Sequence, residues 1–406
     1  MDNLTWQQML RTSVRTSLFW QTEVDYNRYL DFFVNIACIA IYIFYVIKQY
    51  FLDPQTARKC VILHVFTLSC LAVLFTTFEI TPPWQVFITL VGLSVTVIKT
   101  PRKRLPIKDK AILITGCDRG IGHVLAKQLD KTGFYVFAGC LDVRGDGSRE
   151  LTISCSTKLK TIQLDVSKLS QVESALQLVQ QELTMKGIQL WGIVNNAGIC
   201  YIGNVEMMTE ADMQKIMAVN YMGPVHVCKS FLPLLRRSHG RLVNVASNAG
   251  LAPVPLMGVY CASKSALVTM SEVWRYEFKI WGIKVATIIP SGYKTGIMSY
   301  DMIATGDRWW SQASQAVKDD YGQECFYIKF KQKNRDRFLS AEFSDICQNI
   351  EDALLSPRPH SRYYSGFLAK SLPFVYLYLP TWLSDPLMNI LANWFEFKPK
   401  MLNQGN

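Results

Sequence analysis

The chain has 406 residues, a formal net charge of +11, 50% hydrophobic residues and 18% charged residues. An ordinary soluble domain is about 25% charged, so this chain is short of charge, and it is far too apolar to be disordered. Its 11 cysteines show no regular spacing, no C-x-x-C pair and no Cys/His cluster, which excludes a disulfide scaffold and gives no support to a metal site.

Residues 1–98 hold six Lys/Arg and six Asp/Glu, so the whole positive excess lies beyond them. Within that neutral region, Phe32–Ile47, Cys60–Phe78 and Ile80–Ile98 carry no charge. A helix crosses a bilayer with about 20 apolar residues. The second run meets this length; the first and third reach it if Lys48 and Lys99 snorkel. Residues 1–98 are therefore read as a membrane anchor with two or three transmembrane helices. Buried core helices are the alternative. The first 29 residues lack the compact apolar stretch of a cleavable signal. The link after the first run carries Lys48, Arg58 and Lys59, and the link after the second carries only Glu79. Residues 99–110 carry Lys99, Arg102, Lys103, Arg104, Lys108 and Lys110 against Asp109. The positive-inside rule then puts this basic linker and everything after it in the cytosol, with the endoplasmic reticulum as the expected membrane. A basic flank beside an apolar span is what topology alone requires, so no nucleic-acid partner is inferred.

From residue 111 short apolar runs alternate with helical patterns. Strands are read at Ala111–Ile114, Tyr135–Gly139, Thr161–Leu164, Trp191–Val194, Leu242–Val245, Val285–Ile289 and Arg362–Ser365. Helical stretches include Leu169–Met185 and Ala211–Phe231. Such alternation implies an α/β domain with a parallel sheet and helices on both faces. We place this domain at 111–366 and a separate apolar tail at 367–406.

The first strand runs into Thr115-Gly116-Cys117-Asp118-Arg119-Gly120-Ile121-Gly122, and a helix follows through Asp130. Strand, glycine turn and helix form the context of a dinucleotide site. Glycine lets backbone approach a pyrophosphate, and the helix N-terminus offers N–H donors. Further on stand Asn195-Asn196-Ala197-Gly198, Ser247 and Tyr260-x-x-x-Lys264. Tyr260 and Lys264 share one helix face. A neighbouring cation is expected to lower the phenol from its usual value of about 10, which suits proton exchange with an alcohol or ketone. Ser247 is read as ending a strand at Arg241–Ser247, the end where ligands bind in a parallel sheet.

These motifs in this order resemble the short-chain dehydrogenase/reductase family. The resemblance covers roughly 108–300 and implies a Rossmann-like doubly wound parallel sheet. It also implies a catalytic tetrad of Asn220, Ser247, Tyr260 and Lys264, with Asn220 supporting a water in a proton relay from the lysine. The implied cofactor set is Thr115, Gly116, Asp118, Arg119, Gly120, Ile121, Gly122, Asp142, Asp165, Asn196, Ala197, Gly198, Tyr260, Lys264, Pro290, Gly292 and Thr295. Asp165 matches the acid that accepts from the adenine amino group, although it also reads as a helix N-terminal acid before Leu169. Thr295 matches the threonine on the nicotinamide amide. The family's Pro-Gly is Pro290-Ser291 here, with Gly292 one place later. Asp142 lies 20 residues after Gly122, where an acid favours NAD through a ribose diol. Arg119 and Arg144 pull toward NADP. NAD is the expected cofactor, with NADP left open. His123, His226 and Cys117 are read as packing or surface residues.

Leu105-Pro106, Phe231-Leu232-Pro233-Leu234-Leu235-Arg236 and Trp281-Gly282-Ile283-Lys284-Val285 resemble the membrane-anchored branch of the family. That branch holds the type 2 hydroxysteroid dehydrogenases, the microsomal retinol dehydrogenases and 3-hydroxybutyrate dehydrogenase. The resemblance implies oxidation of a secondary alcohol on a steroid, or of a retinoid or similar lipid. NADPH-linked ketone reduction and a catalytically silent cofactor-binding scaffold are the alternatives. A homodimer is common in the family. The segment 296–345 would cover the substrate. Its Trp309, Trp310, Tyr321 and Phe326 are read either as pocket lining or as ordinary core. Phe367–Phe397 is apolar but broken by Pro373, Pro380 and Pro386. It is read as touching membrane lipids or as packing on the body.

Overall fold

The computed structural model describes residues 104–298, 301–327, 329–330, 339–392, 395–396 and 399–403. The runs expected to span a membrane lie outside these residues. Among the described residues no helix is long and apolar enough to cross a membrane.

The body starts at β1 (Lys110–Thr115), α1 (Gly120–Thr132), β2 (Tyr135–Cys140), α2 (Asp146–Ser154) and β3 (Leu159–Gln163). It continues with α3 (Leu169–Lys186), β4 (Gln189–Asn195), α4 (Glu210–Met217), α5 (Gly223–Ser238), β5 (Arg241–Val245), α6 (Gly258–Glu277) and β6 (Lys284–Pro290). After these come α7 (Met302–Gln312), α8 (Gln315–Tyr321), β7 (Lys329–Phe330), α9 (Ser344–Leu355), β8 (Arg362–Ser365), α10 (Ser371–Tyr378), α11 (Thr381–Ala392) and β9 (Phe395–Glu396). Seven strands form one parallel sheet in the order β3-β2-β1-β4-β5-β6-β8. β7 and β9 pair antiparallel in a separate ribbon.

The strands read as apolar runs because both sheet faces are covered. On one face α1 and α9 bury Leu125, Leu129, Ile346, Ile350 and Leu354 against Ile112, Val243 and Ile288. On the other face α3, α5 and α6 bury Val172, Val179, Val227, Phe231 and Trp274. Strand order reverses between β1 and β4. The crevice at such a switch point, past the strand C-termini, is where ligands bind.

Two details differ from the sequence reading, and a third decides between its alternatives. β5 stops at Val245, and Ser247 instead caps a short 3-10 turn, Asn248–Gly250, by accepting from the Ala249 N–H at 3.1 Å. The helical run around Asn220 is not uniform. A π turn, Ala218–Met222, joins α4 to α5. The aromatics of 296–345 form a core of their own: Trp309, Phe326, Trp310 and Tyr321 pack with Tyr201, Met207, Met208 and Ile216.

Candidate active site

A cavity of about 720 Å³ follows the C-terminal ends of the strands. All the expected site residues line it except Thr115, Gly122 and Asn220.

Those three act from behind the wall. Thr115 Oγ1 accepts from the N–H groups of Asn196 and Ala197, both at 3.0 Å. The Asn196 side chain donates to the carbonyls of Thr115 at 2.9 Å and Gly116 at 3.1 Å. The ends of β1 and β4 are thereby locked together. Gly122 sits inside this lock: a Cβ there would lie 2.3 Å from the Gly116 carbonyl oxygen. Gly116 and Gly120 hold φ of +71° and +65°, a left-handed backbone suited to glycine. The loop therefore presents bare backbone at the start of α1, the surface a pyrophosphate needs.

Asp118 faces the cavity, yet its carboxylate is taken by backbone. It accepts from the N–H of Leu141 at 2.9 Å and of Asp142 at 3.0 Å, fixing the end of β2. Asp142 accepts from the Arg144 N–H at 2.9 Å. Asp165 accepts from the Ser167 N–H at 3.0 Å and hydroxyl at 2.6 Å. The Arg119 side chain lies across Gly296, where a Cβ would come within 2.5 Å of its Cδ and Nε. Cys117 is fully buried, and burial pushes its thiol well up, which suits a filler rather than a nucleophile. His123 Nε2 meets Glu150 at 2.5 Å, and His226 Nδ1 lies 3.4 Å from the Val166 carbonyl.

At the other end stand Ser247, Tyr260 and Lys264, each at most 7% exposed. The Lys264 ammonium donates to the Val245 carbonyl at 2.9 Å and lies 5.9 Å from the Tyr260 ring centre. Burial pulls Lys264 down to about 8. Burial also pushes the Tyr260 phenol well above its ordinary value, while the Ser247 hydroxyl pulls it the other way. The lowered phenol expected from sequence is thus reversed in the protein alone. Desolvation dominates at Tyr260, and the same burial weakens Lys264 as a cation.

Asn220 is fully buried in the π turn. Its Oδ1 accepts from the Ile199 N–H and its Nδ2 donates to the Ile199 carbonyl, both at 2.9 Å; Nδ2 also reaches Ser263 Oγ at 3.0 Å. A Cβ placed on Gly198 would be 3.4 Å from both Asn220 Oδ1 and Lys264 Nζ. Gly198 therefore puts no side chain between amide and ammonium.

Sequence reasoning missed several lining residues. Cys200, Val254 and Met257 form an apolar wall beside Tyr260. Phe367, Leu368, Leu372 and Leu391 reach the cavity from the tail. Tyr293, also at the wall, donates to both oxygens of Asp345 at 2.7 and 2.8 Å. This bond and the Ser291 N–H on the Ser365 carbonyl at 2.9 Å hold the loop after β6 in place despite its unusual Pro-Ser. No spacing rule links these residues, because they meet only through the fold.

The short chain dehydrogenase family model matches residues 110–302. The chain is similar to estradiol 17-beta-dehydrogenase 2 of Mus musculus, with 38% identity over 295 residues, covering 69% of this chain and 74% of that protein. It is also similar to retinol dehydrogenase 7 of Mus musculus, at 36% over 322 residues, covering 78% of this chain and 98% of the relative. An 11-beta-hydroxysteroid dehydrogenase type 2 of Oryctolagus cuniculus is 36% identical over 290 residues, 68% of this chain and 69% of that protein. In fold it is similar to a short-chain dehydrogenase from Streptomyces avermitilis, with a TM-score of 0.53 and 21% identity over 71% of this chain and 97% of that one. The relatives are those of the branch that the sequence motifs resemble. With its glycine loop, strand-end motifs and this identity, the chain belongs to the short-chain dehydrogenase/reductase family and is an NAD(P)-dependent oxidoreductase.

Proposed function

We propose that the protein is a membrane-bound dehydrogenase that moves a hydride between a lipophilic secondary alcohol, a steroid first of all, and NAD. The observation that carries this reading is the convergence of Ser247, Tyr260 and Lys264 on one cavity end walled by Cys200, Val254 and Met257. Apolar walls with a few convergent polar groups suit a flat lipophilic alcohol.

The nicotinamide supplies the hydride acceptor when bound. The glycine loop with Asn196, Ala197 and Gly198 would hold the dinucleotide, Asp142 and Asp165 its adenosine side, and Thr295 with Gly292 its nicotinamide side. Ser247 holds the substrate oxygen, and Tyr260 takes the hydroxyl proton as the carbonyl forms. Lys264 would pass that proton toward solvent through a water that Asn220 supports. A buried phenol with a raised pKa starts out protonated, so it needs positive charge nearby before it serves as a base.

The anchor at 1–98 would hold the enzyme on the endoplasmic reticulum with the catalytic body in the cytosol. The tail supports membrane contact as well. Leu372, Met388 and Leu391 pack inward with Ala252, while Leu377, Tyr378, Trp382, Leu387 and Ile390 remain exposed. A helix pair that is apolar on its outward side as well as its inward one suits a lipid interface. Retinol is the second substrate class, favoured by a retinol dehydrogenase relative 98% of whose length is matched.

The test is incubation of the membrane-bound enzyme with NAD and a panel of steroids and retinols, read at 340 nm. Turnover absent from Tyr260→Phe supports the reading. No turnover above that variant on any member counts against it.

A further inference from the structure

One buried carboxylate outside the cavity fastens the segment that follows β6 to the elements carrying Asn220. Asp212 on α4 is 6% exposed. Its Oδ2 accepts three bonds: from Thr209 Oγ1 at 2.9 Å, from Arg308 Nη2 at 2.7 Å and from Trp309 Nε1 at 2.7 Å. Thr209 is also the N-cap of α4, accepting from the Asp212 N–H at 3.3 Å. Arg308 and Trp309 both belong to α7. Charge-assisted bonds of this kind are stronger than neutral ones, and removing the acceptor leaves the buried Trp309 N–H without it.

Trp309 grips a second segment. Its ring is 2% exposed and stands edge-on to Tyr201, with centroids 6.3 Å apart. It also covers Gly203 so closely that a Cβ there would lie 2.4 Å from its Cζ3. Tyr201 follows two residues after Ile199, whose N–H and carbonyl hold the Asn220 amide. α4 runs directly into the π turn that contains Asn220. Thus α7 touches two of the three places that fix Asn220: helix α4 through Asp212, and the 199–203 loop through Trp309; the third is Ser263 on α6.

We propose that Asp212 is a positioning residue for the reaction: by latching α7 to α4 it holds Asn220 in register with Lys264. This rests on the reading of Asn220 as part of the proton relay. It also gives the substrate-covering segment a route to the chemistry, since a segment that is not docked releases both holds at once.

A double-mutant cycle tests the coupling. Asp212→Ala is expected to lower kcat about 10- to 100-fold, with the KM for NAD within about twofold of wild type, because it loosens rather than removes an acid–base relay whose whole contribution is about 10²- to 10⁴-fold. In the Asn220→Ala background the same change should cost less than about threefold, since residues acting through one another are not additive. An equal cost in both backgrounds, or a change confined to the KM for the alcohol, overturns the proposal. Trp309→Phe removes the Nε1 donor and leaves a smaller ring over Gly203, so it loosens both grips of α7, and it serves the same cycle if Asp212→Ala does not fold. Hydrogen exchange reads the latch without turnover. Amides of 199–203 and 218–222 should exchange at least about 10-fold faster in the variant while β1, β4 and β5 stay protected. Unchanged protection there overturns the latch. Faster exchange in an enzyme inactive on every alcohol would leave the latch standing and remove the dehydrogenase reading instead.

Discussion

Tyr260 and Lys264 are both buried and both held in their neutral-favouring directions. Below pH 8 Lys264 is charged in the folded and the unfolded chain, so the cost of its burial is fully present. Between about 8 and its ordinary 10.5 the folded lysine loses its proton first, and that cost disappears as pH rises. Lys264→Met is therefore expected to abolish turnover yet raise stability at pH 7, by up to about 3 kcal/mol. The gain should vanish toward pH 10.5 in denaturant unfolding followed across pH. A gain that persists at high pH would place the cost elsewhere. At the other end of the cavity, Asp142→Ala should weaken the preference for NAD over NADP, read as the ratio of the two dissociation constants. An unchanged ratio would take the ribose contact away from Asp142.

At the scale of elements, the glycine turn and the strand ends define the site. Gly122→Ala would drive a Cβ into the Gly116 carbonyl at 2.3 Å and the Asn196 amide at 2.5 Å, both parts of the β1–β4 lock. We expect loss of dinucleotide binding by calorimetry and a destabilisation of at least about 2 kcal/mol from overpacking. Normal binding would mean that the lock gives way cheaply. The strands were legible in the sequence because a sheet covered on both faces demands short apolar runs, and β8 matches its predicted bounds, Arg362–Ser365. The π turn was not legible. An i→i+5 bond leaves no mark in composition, so Asn220 simply falls within the helical run read at Ala211–Phe231. Within the π turn its amide meets Ile199 instead. The aromatics of 296–345 were equally ambiguous, because a Trp in a core and a Trp in a pocket look alike in sequence. Asp212 and Gly203 settle Trp309 as core, and both lie about 100 residues away.

At the scale of the whole molecule, two apolar ends flank one catalytic body. The neutral first 98 residues account for much of the charge deficit, and the basic linker begins the +11 that follows. The tail contributes inner residues to the cavity and exposed aromatics to the outside. With the full chain in vesicles, brominated lipids should quench Trp382, which is 74% exposed, so that wild type is quenched more than Trp382→Phe. Equal quenching would remove Trp382 from the lipid interface. A wall shared between cavity and bilayer would let a lipophilic alcohol enter without crossing water. The most direct test follows the hydride itself. A secondary steroid alcohol carrying deuterium on the carbinol carbon is incubated with NAD and the full-length enzyme, and the reduced dinucleotide is weighed. One deuterium per ketone formed, present in wild type and absent in Tyr260→Phe, is the predicted result. Ketone formed without deuterium in the dinucleotide, or deuterium transfer undiminished in Tyr260→Phe, would contradict it.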